Sequence, residues 1–153
     1  MKTLTAGADA PDFDLPDQDG ERVQLSELVR KGPVVLFFYP AANTPTCTKE
    51  ACTFRDLASE YAEAGVQRVG ISTDSVEKQS GFSQKFGFDY PLLADADGAV
   101  TKAYGVRRGL LGVAKRVTFV IDESRQIREV ISSEFNGDIH ATDALAAARR
   151  LAD

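Results

Sequence analysis

"PVVLFFYPAANTPTCTKEAC", residues 33–52, decides how this chain folds. Its opening, Pro33 to Tyr39, is a continuous apolar run with β-branched and aromatic side chains. Such a run is too short for a buried helix and predicts a central strand. Pro40 ends it. Thr44 followed by Pro45 fits a helix N-cap with proline in the first helical position. The helix is expected from 45 to about 64, stopped by Gly65 as its C-cap. A buried strand feeding directly into a helix is the first half of a right-handed parallel strand–helix–strand unit.

The same stretch holds both cysteines of the chain, Cys47 and Cys52. Core filler, half a metal site, a structural bridge and a redox pair are the readings to separate. Cys47 falls in the first helical turn. There the unpaired backbone N–H groups and the positive end of the helix dipole favour an anion, and the thiolate is the nucleophilic form of cysteine. At about 100° per residue, Ala51, Phe54, Leu57, Ala58 and Tyr61 share one sector, the core face, and Cys47 lies on the same side. Cys52 falls roughly 140° from Cys47, with Thr48, Arg55, Asp56, Ser59 and Glu63. It is therefore expected on the polar face, as a surface thiol or a chemical partner. The chain has one histidine, His140, so a tetrahedral zinc site lacks ligands. No metal and no other cofactor is expected. His140 itself reads as a solvated or capping residue.

Outward from this stretch, "FDLPDQDGERVQL" predicts two short strands around a turn at Asp19-Gly20. "SEL" at 26–28 is a short helical turn. Downstream come a strand over 66–73, a helix over 76–87 stopped by Gly87, an extended "YPLLAD" and a short helix over 99–104. "GVRRGLLGVAKR", residues 105–116, reads as a long loop. "VTFVID" and "REVISS" make a hairpin across "ESRQ", and an alanine-rich helix closes the chain. The layout is that of an α/β, thioredoxin-like fold. It has an N-terminal β-hairpin extension and a central mixed sheet flanked by helices, with the terminal hairpin at one edge.

At 153 residues the chain suits one domain, 1–153. A net charge of -5 and the absence of any Lys/Arg-rich run argue against nucleic acid. No secretory signal and no membrane-spanning apolar stretch is visible, so a cytoplasmic location is expected. In that reducing compartment a cysteine pair is more often catalytic, redox-sensing or metal-binding than stapling.

Pro40, Thr44 and Cys47 stand in the spacing P-x-x-x-T-x-x-C, which resembles the signature of the peroxiredoxins. "C-T-x-E-A-C", with the second cysteine five residues on, is similar to the bacterioferritin comigratory protein, or peroxiredoxin Q, branch. "PDFDLPDQDG", "VVLFFYP", "GISTDS", "YPLLAD" and "RVTFVID" follow the family order along nearly the whole chain. The resemblance implies a thiol peroxidase acting on hydrogen peroxide and organic hydroperoxides. It implies Cys47 as the peroxidatic cysteine, oxidised to a sulfenic acid, and Cys52 as the resolving cysteine that closes an intramolecular disulfide. Thr44 would bond the thiolate and the peroxide, Pro40 would shield the pocket, and Arg116 would orient the peroxide and stabilise the thiolate. Glu50 would position Arg116. Arg107 and Arg108 compete with Arg116, but only Arg116 adjoins a strand that fixes its backbone. Thioredoxin or a similar dithiol protein would return the electrons, and the chain would act as a monomer, with a homodimer as the alternative. The segment departs from the family at Asn43 and Thr46, where relatives often carry Met and Gly. β-Branched Thr46 is expected to narrow the pocket.

Two other readings of the fold remain at this level: a redox sensor without turnover, and a disulfide oxidoreductase. The latter chemistry normally uses C-x-x-C rather than C-x-x-x-x-C. Cys47→Ser is expected to abolish peroxide turnover, whereas Cys52→Ser still allows one round of thiol oxidation. Stopped-flow mixing with hydrogen peroxide distinguishes the two, and the opposite pattern would reverse the roles.

Overall fold

The computed structural model describes residues 2–109, 112–134 and 136–151. Asp14–Pro16 (β1) and Arg22–Gln24 (β2) pair as the expected N-terminal hairpin, followed by the single turn Leu25–Leu28 (α1). Val34–Phe38 (β3), Pro45–Asp56 (α2), Ala58–Ala64 (α3) and Gln67–Ser72 (β4) form the first strand–helix–strand unit. Val76–Phe86 (α4), Leu92–Ala94 (β5) and Ala99–Ala103 (α5) extend it. Arg107–Arg108 (β6), Val113–Ala114 (β7), Val117–Ile121 (β8), Ile127–Ser132 (β9) and Gly137–Leu151 (α6) complete the chain.

The central sheet has the order β5-β4-β3-β8-β9. β3 pairs parallel with β4 and antiparallel with β8. The apolar run is continuous because β3 is covered on both faces. Val35, Phe37 and Tyr39 pack with Cys47, Ala51 and Phe54 of α2 and with Ala141, Ala144 and Leu145 of α6. Val34, Leu36 and Phe38 pack on the other side with Phe13, Leu25 and Tyr104. Because β8 runs against β3, Val117 lies opposite Phe38. The end of β3, the end of β4, the start of β8 and the end of β9 therefore meet at one edge of the sheet, where parallel-sheet proteins place their ligands.

Two expectations are corrected. The helix foreseen over 45–64 is two helices, broken at Leu57 with φ -93° and ψ 19°. The Phe54 carbonyl, which would take the Ala58 N–H in an unbroken helix, accepts from Arg68 Nη1 at 2.8 Å instead. A side chain inserted into the ladder is a recognised cause of a break. Arg68 is held there by a bidentate pair with Asp89 and by the Tyr90 ring 5.0 Å away. Gly65, at φ 70°, closes α3 rather than one long helix. The segment 105–116 is not all loop: β6 and β7 pair antiparallel, Arg107 with Ala114 and Arg108 with Val113. Leu110 and Leu111, within the predicted loop, lie outside the described residues.

Among the described residues, no helix is long and apolar enough to cross a membrane. Phe37 stacks on Phe54 at 4.1 Å and meets Tyr90 edge-on at 5.7 Å. Truncating it hollows the layer between sheet and α2. Phe37→Ala is expected to cost about 3–5 kcal/mol, read as a lowered urea midpoint with an unchanged slope.

Candidate active site

α2 begins where the backbone can no longer continue the strand. After Pro40, Asn43 takes the left-handed conformation, φ 65°, which asparagine tolerates better than most residues. Thr44 is extended, and Pro45 opens the helix. Cys47 is thus the third helical residue, and only 1% exposed. Thr44 occupies the N-cap position, but its side chain does not cap the helix. Its hydroxyl donates to the Ala41 carbonyl at 2.9 Å, closing the loop on itself and leaving the Thr44 oxygen free to accept. Only its backbone carbonyl serves the helix, accepting the Thr48 N–H at 2.8 Å. Pro40 is half-buried at the mouth of this loop.

The loop is also tied from β4. Asp74 Oδ2 accepts the Ala42 N–H at 2.7 Å and the Ser72 hydroxyl at 2.7 Å. Ser72 Oγ accepts in turn from Gln79 Nε2, and Gln79 Oε1 takes the Tyr39 hydroxyl at 2.6 Å. Tyr39 is fully buried, and burial holds its hydroxyl far above the usual phenol range, hence protonated and donating. Asp74, Gln79 and Tyr39 were not singled out from sequence. The signal was present in "GISTDS", where polar residues interrupt a buried strand end and must find partners.

Arg116 reaches Cys47 from the start of β8. Nη2 donates to Cys47 Sγ at 3.2 Å, Nη1 to Glu50 Oε1 at 2.8 Å and Nε to the Glu134 carbonyl at 3.2 Å. Its backbone N–H is held by Glu134 Oε1 at 3.2 Å. Arg108 pairs with Glu134, while Arg107 is exposed, so Arg116 alone of the three contacts the cysteine. Glu50 is fully buried one turn below Cys47, and burial, opposed by Arg116, pushes its carboxyl up to about 8.

One expectation fails here. His140 is neither solvated nor a cap: it is fully buried in the first turn of α6, between Thr118 and the Ser133 carbonyl. Cys52 lies among the polar residues expected of its sector, Thr48, Arg55, Asp56, Ser59 and Glu63, which are half-buried or exposed. It is half-buried against the core, and burial raises its thiol, with Arg55 pulling the other way. The polar sector around it is covered in part because Arg55 folds over to the Phe86 carbonyl. Both cysteines are free thiols on an intact helix. α6 closes the site from below through Gly137. A Cβ there would stand 2.9 Å from the Thr46 carbonyl and 3.0 Å from Glu50 Cβ.

What this arrangement supplies is a buried sulfur at a helix start, with a fixed guanidinium donating to it. Such a pair stabilises negative charge on sulfur and directs its nucleophilic attack.

The comparisons with known proteins agree in one direction. The AhpC/TSA family pattern matches residues 6–130. A chloroplastic peroxiredoxin Q from Sedum lineare is 40% identical over 143 residues, 93% of this chain and 76% of that protein. The crystal structure of peroxidoxin BcpB from Mycobacterium tuberculosis is 58% identical with a TM-score of 0.92, covering 97% of this chain and 98% of that one. The bacterioferritin comigratory protein of Xanthomonas campestris, whose structural description concerns alkyl peroxide reduction, is 29% identical with a TM-score of 0.85. It covers 99% of this chain and 98% of its own.

Arg116→Lys keeps the charge but cannot serve Cys47, Glu50 and Glu134 from one plane. Cys47 is expected to react with iodoacetamide roughly tenfold more slowly in that variant. Cys52 should alkylate at the parent rate and serves as the internal control in peptide mass mapping.

Proposed function

The chain belongs to the AhpC/TSA family, in its peroxiredoxin Q branch, a family of thiol peroxidases, and from that premise we propose that it reduces hydrogen peroxide and organic hydroperoxides through Cys47 and Cys52. The observation that carries the reading is the 3.2 Å contact from Arg116 Nη2 to Cys47 Sγ at the start of α2. The Cys47 thiolate attacks one peroxide oxygen. The S–O bond forms as the O–O bond breaks, and the departing oxygen takes the peroxide's proton and leaves as water or an alcohol. Cys47 is left as the sulfenate, which takes a proton from solvent to become the sulfenic acid. Thr44, its own hydrogen committed to Ala41, accepts from the peroxide O–H rather than donating to it. Arg116 and the N–H groups of the first turn face the charge that moves onto oxygen. Pro40 covers the mouth of the loop and keeps water from the sulfenic acid.

Cys52 then attacks the Cys47 sulfur, and water leaves as the disulfide forms. In an intact helix, residues five apart have Cα atoms roughly 8.6 Å apart and side chains about 140° around the axis. A disulfide needs Cα atoms within about 7 Å. α2 therefore unwinds in each cycle. Unwinding also exposes Cys52 and removes the burial that raises its thiol, so the resolving thiolate forms more readily once Cys47 has moved. Thioredoxin or a similar dithiol protein then donates two electrons and two protons. The bond closes within one chain, so a second copy supplies no residue to the cycle.

Amide exchange checks the motion. Residues from roughly 44 to 53 are expected to exchange at least tenfold faster in the peroxide-treated protein than in the reduced one, with mass mapping locating a 47–52 bond. A protected α2 together with that bond would overturn the unwinding step.

A further inference from the structure

Glu50 has a second oxygen that the site so far leaves unused. Oε2 is buried and has no hydrogen-bond partner among the described residues, and His140 Nδ1 stands 3.5 Å away. The Ser133 carbonyl, 2.9 Å from His140 Nε2, can only accept, so Nε2 carries a hydrogen. In the neutral ring Nδ1 is then bare, and the Thr118 hydroxyl, 2.7 Å away, donates to it. That lone pair is taken by Thr118, so the ring offers Oε2 no donor, and an ionised Oε2 would stand buried and unpartnered against the electron-rich Nδ1 edge of the ring. A proton on one of the two groups removes the conflict. The first turn of α6, which carries His140, disfavours a charged ring. The proton therefore belongs on Glu50.

We propose that His140 is a positioning residue for the peroxidase reaction, fixed as the Nε2–H tautomer by Ser133 and turning its electron-rich Nδ1 edge to Glu50 Oε2, which keeps Glu50 protonated, so that the Arg116 guanidinium serves the Cys47 sulfur without a competing carboxylate. The inference rests on the reading of Cys47 as the reacting thiolate. The buried cluster then balances, with one cation, Arg116, against one sulfur anion and with Glu50 and His140 neutral. An ionised Glu50 would place two anions on the one guanidinium and weaken its hold on sulfur. The groups facing the pair are Cys47 from α2, Arg116 and Thr118 from β8 and its start, Ser133 and Glu134 beyond β9, and Asp143 one turn along α6. Their balance agrees with the geometry. Burial pushes the Glu50 carboxyl up to about 8, with Glu134 adding and Arg116 opposing. Burial also holds the His140 ring below its ordinary value, helped by Arg116, against the Ser133 carbonyl, Glu134 and Asp143.

His140 is the chain's one histidine, so imidazole resonances of histidine-labelled protein need no assignment. Between about pH 6 and about pH 9 the ring is expected to be neutral, with Nε2 protonated and Nδ1 bare. The Nδ1 shift should follow loss of the Glu50 proton near pH 8 and lose that dependence in Glu50→Gln. In single-turnover oxidation by hydrogen peroxide, the parent rate should fall on the alkaline side through the same titration, and Glu50→Gln should lack that fall. His140→Gln keeps a donor for Ser133 but removes Nδ1. It should slow oxidation roughly five- to tenfold at neutral pH and move the alkaline fall to lower pH. An Nδ1–H tautomer, a charged ring at neutral pH, an Nδ1 shift indifferent to Glu50, or a His140→Gln profile matching the parent would each overturn the proposal. If His140→Gln does not fold, the parent resonances and the Glu50→Gln profile decide. Failure of the parent protein to oxidise at Cys47 would instead sink the peroxidase reading, while the resonances would still report the tautomer and its tie to Glu50.

Discussion

Arg116 is 4% exposed, and a guanidinium taken out of water must find acceptors for its N–H groups or the fold loses several kcal/mol. It finds them on different elements: Cys47 and Glu50 on α2, and the Glu134 carbonyl after β9. One rigid planar cation therefore ties the helix layer to two neighbouring strands of the sheet. Much else follows from that requirement. β8 must run antiparallel to β3 so that its start reaches the helix start, and β9 must end beside it to deliver Glu134. α6 must approach α2 closely enough to roof over Glu50, and only a glycine at position 137 allows it.

The second support comes from the opposite side. Asp74 holds the Ala42 N–H, and the chain Ser72, Gln79, Tyr39 runs back from it into the core under β3. The loop 40–44 is thus fixed by β4 on one flank, while the cysteine it presents is fixed by β8 on the other. Neither support relies on surface ion pairs such as Arg22–Asp14, which solvent screens. Both supports consist of buried polar groups whose partners are nearly all accounted for, and Glu50 Oε2 is the exception that draws attention to His140.

Much of this was legible in the sequence because the signals were local. The apolar run before Pro40, the Thr44-Pro45 helix start and the αL glycines at 65 and 87 fixed β3, α2 and the ends of α3 and α4. Arg116 was legible because it adjoins a strand, whereas Arg107 and Arg108 sit in glycine-rich surroundings. What was missed depended on distant partners. The break at Leu57 is made by Arg68, fourteen residues from the carbonyl it takes, and no periodicity reports that. β6 and β7 are two residues long, too short for any alternation. His140 was misread although Gly137, Ala141, Ala144, Leu145 and Ala148 mark the buried stripe of α6 on which it falls. Thr118 was the companion signal, a polar side chain in the fully buried strand "VTFVI" that needed a partner from the facing helix.

The break at Leu57 also has an energetic side. It makes the cysteine-bearing piece a helix of 12 residues, separate from the α3 turn anchored by Tyr61 on the Ala141 carbonyl. If that piece melts when the disulfide closes and re-forms when it opens, the free energy of winding it is added to the driving force for reduction. The disulfide is then a stronger electron acceptor than an unstrained one by that amount, with each 1.4 kcal/mol of helix stability worth about 30 mV for the two-electron couple. In that case, confining the melt to α2 limits the contribution to the stability of those 12 residues.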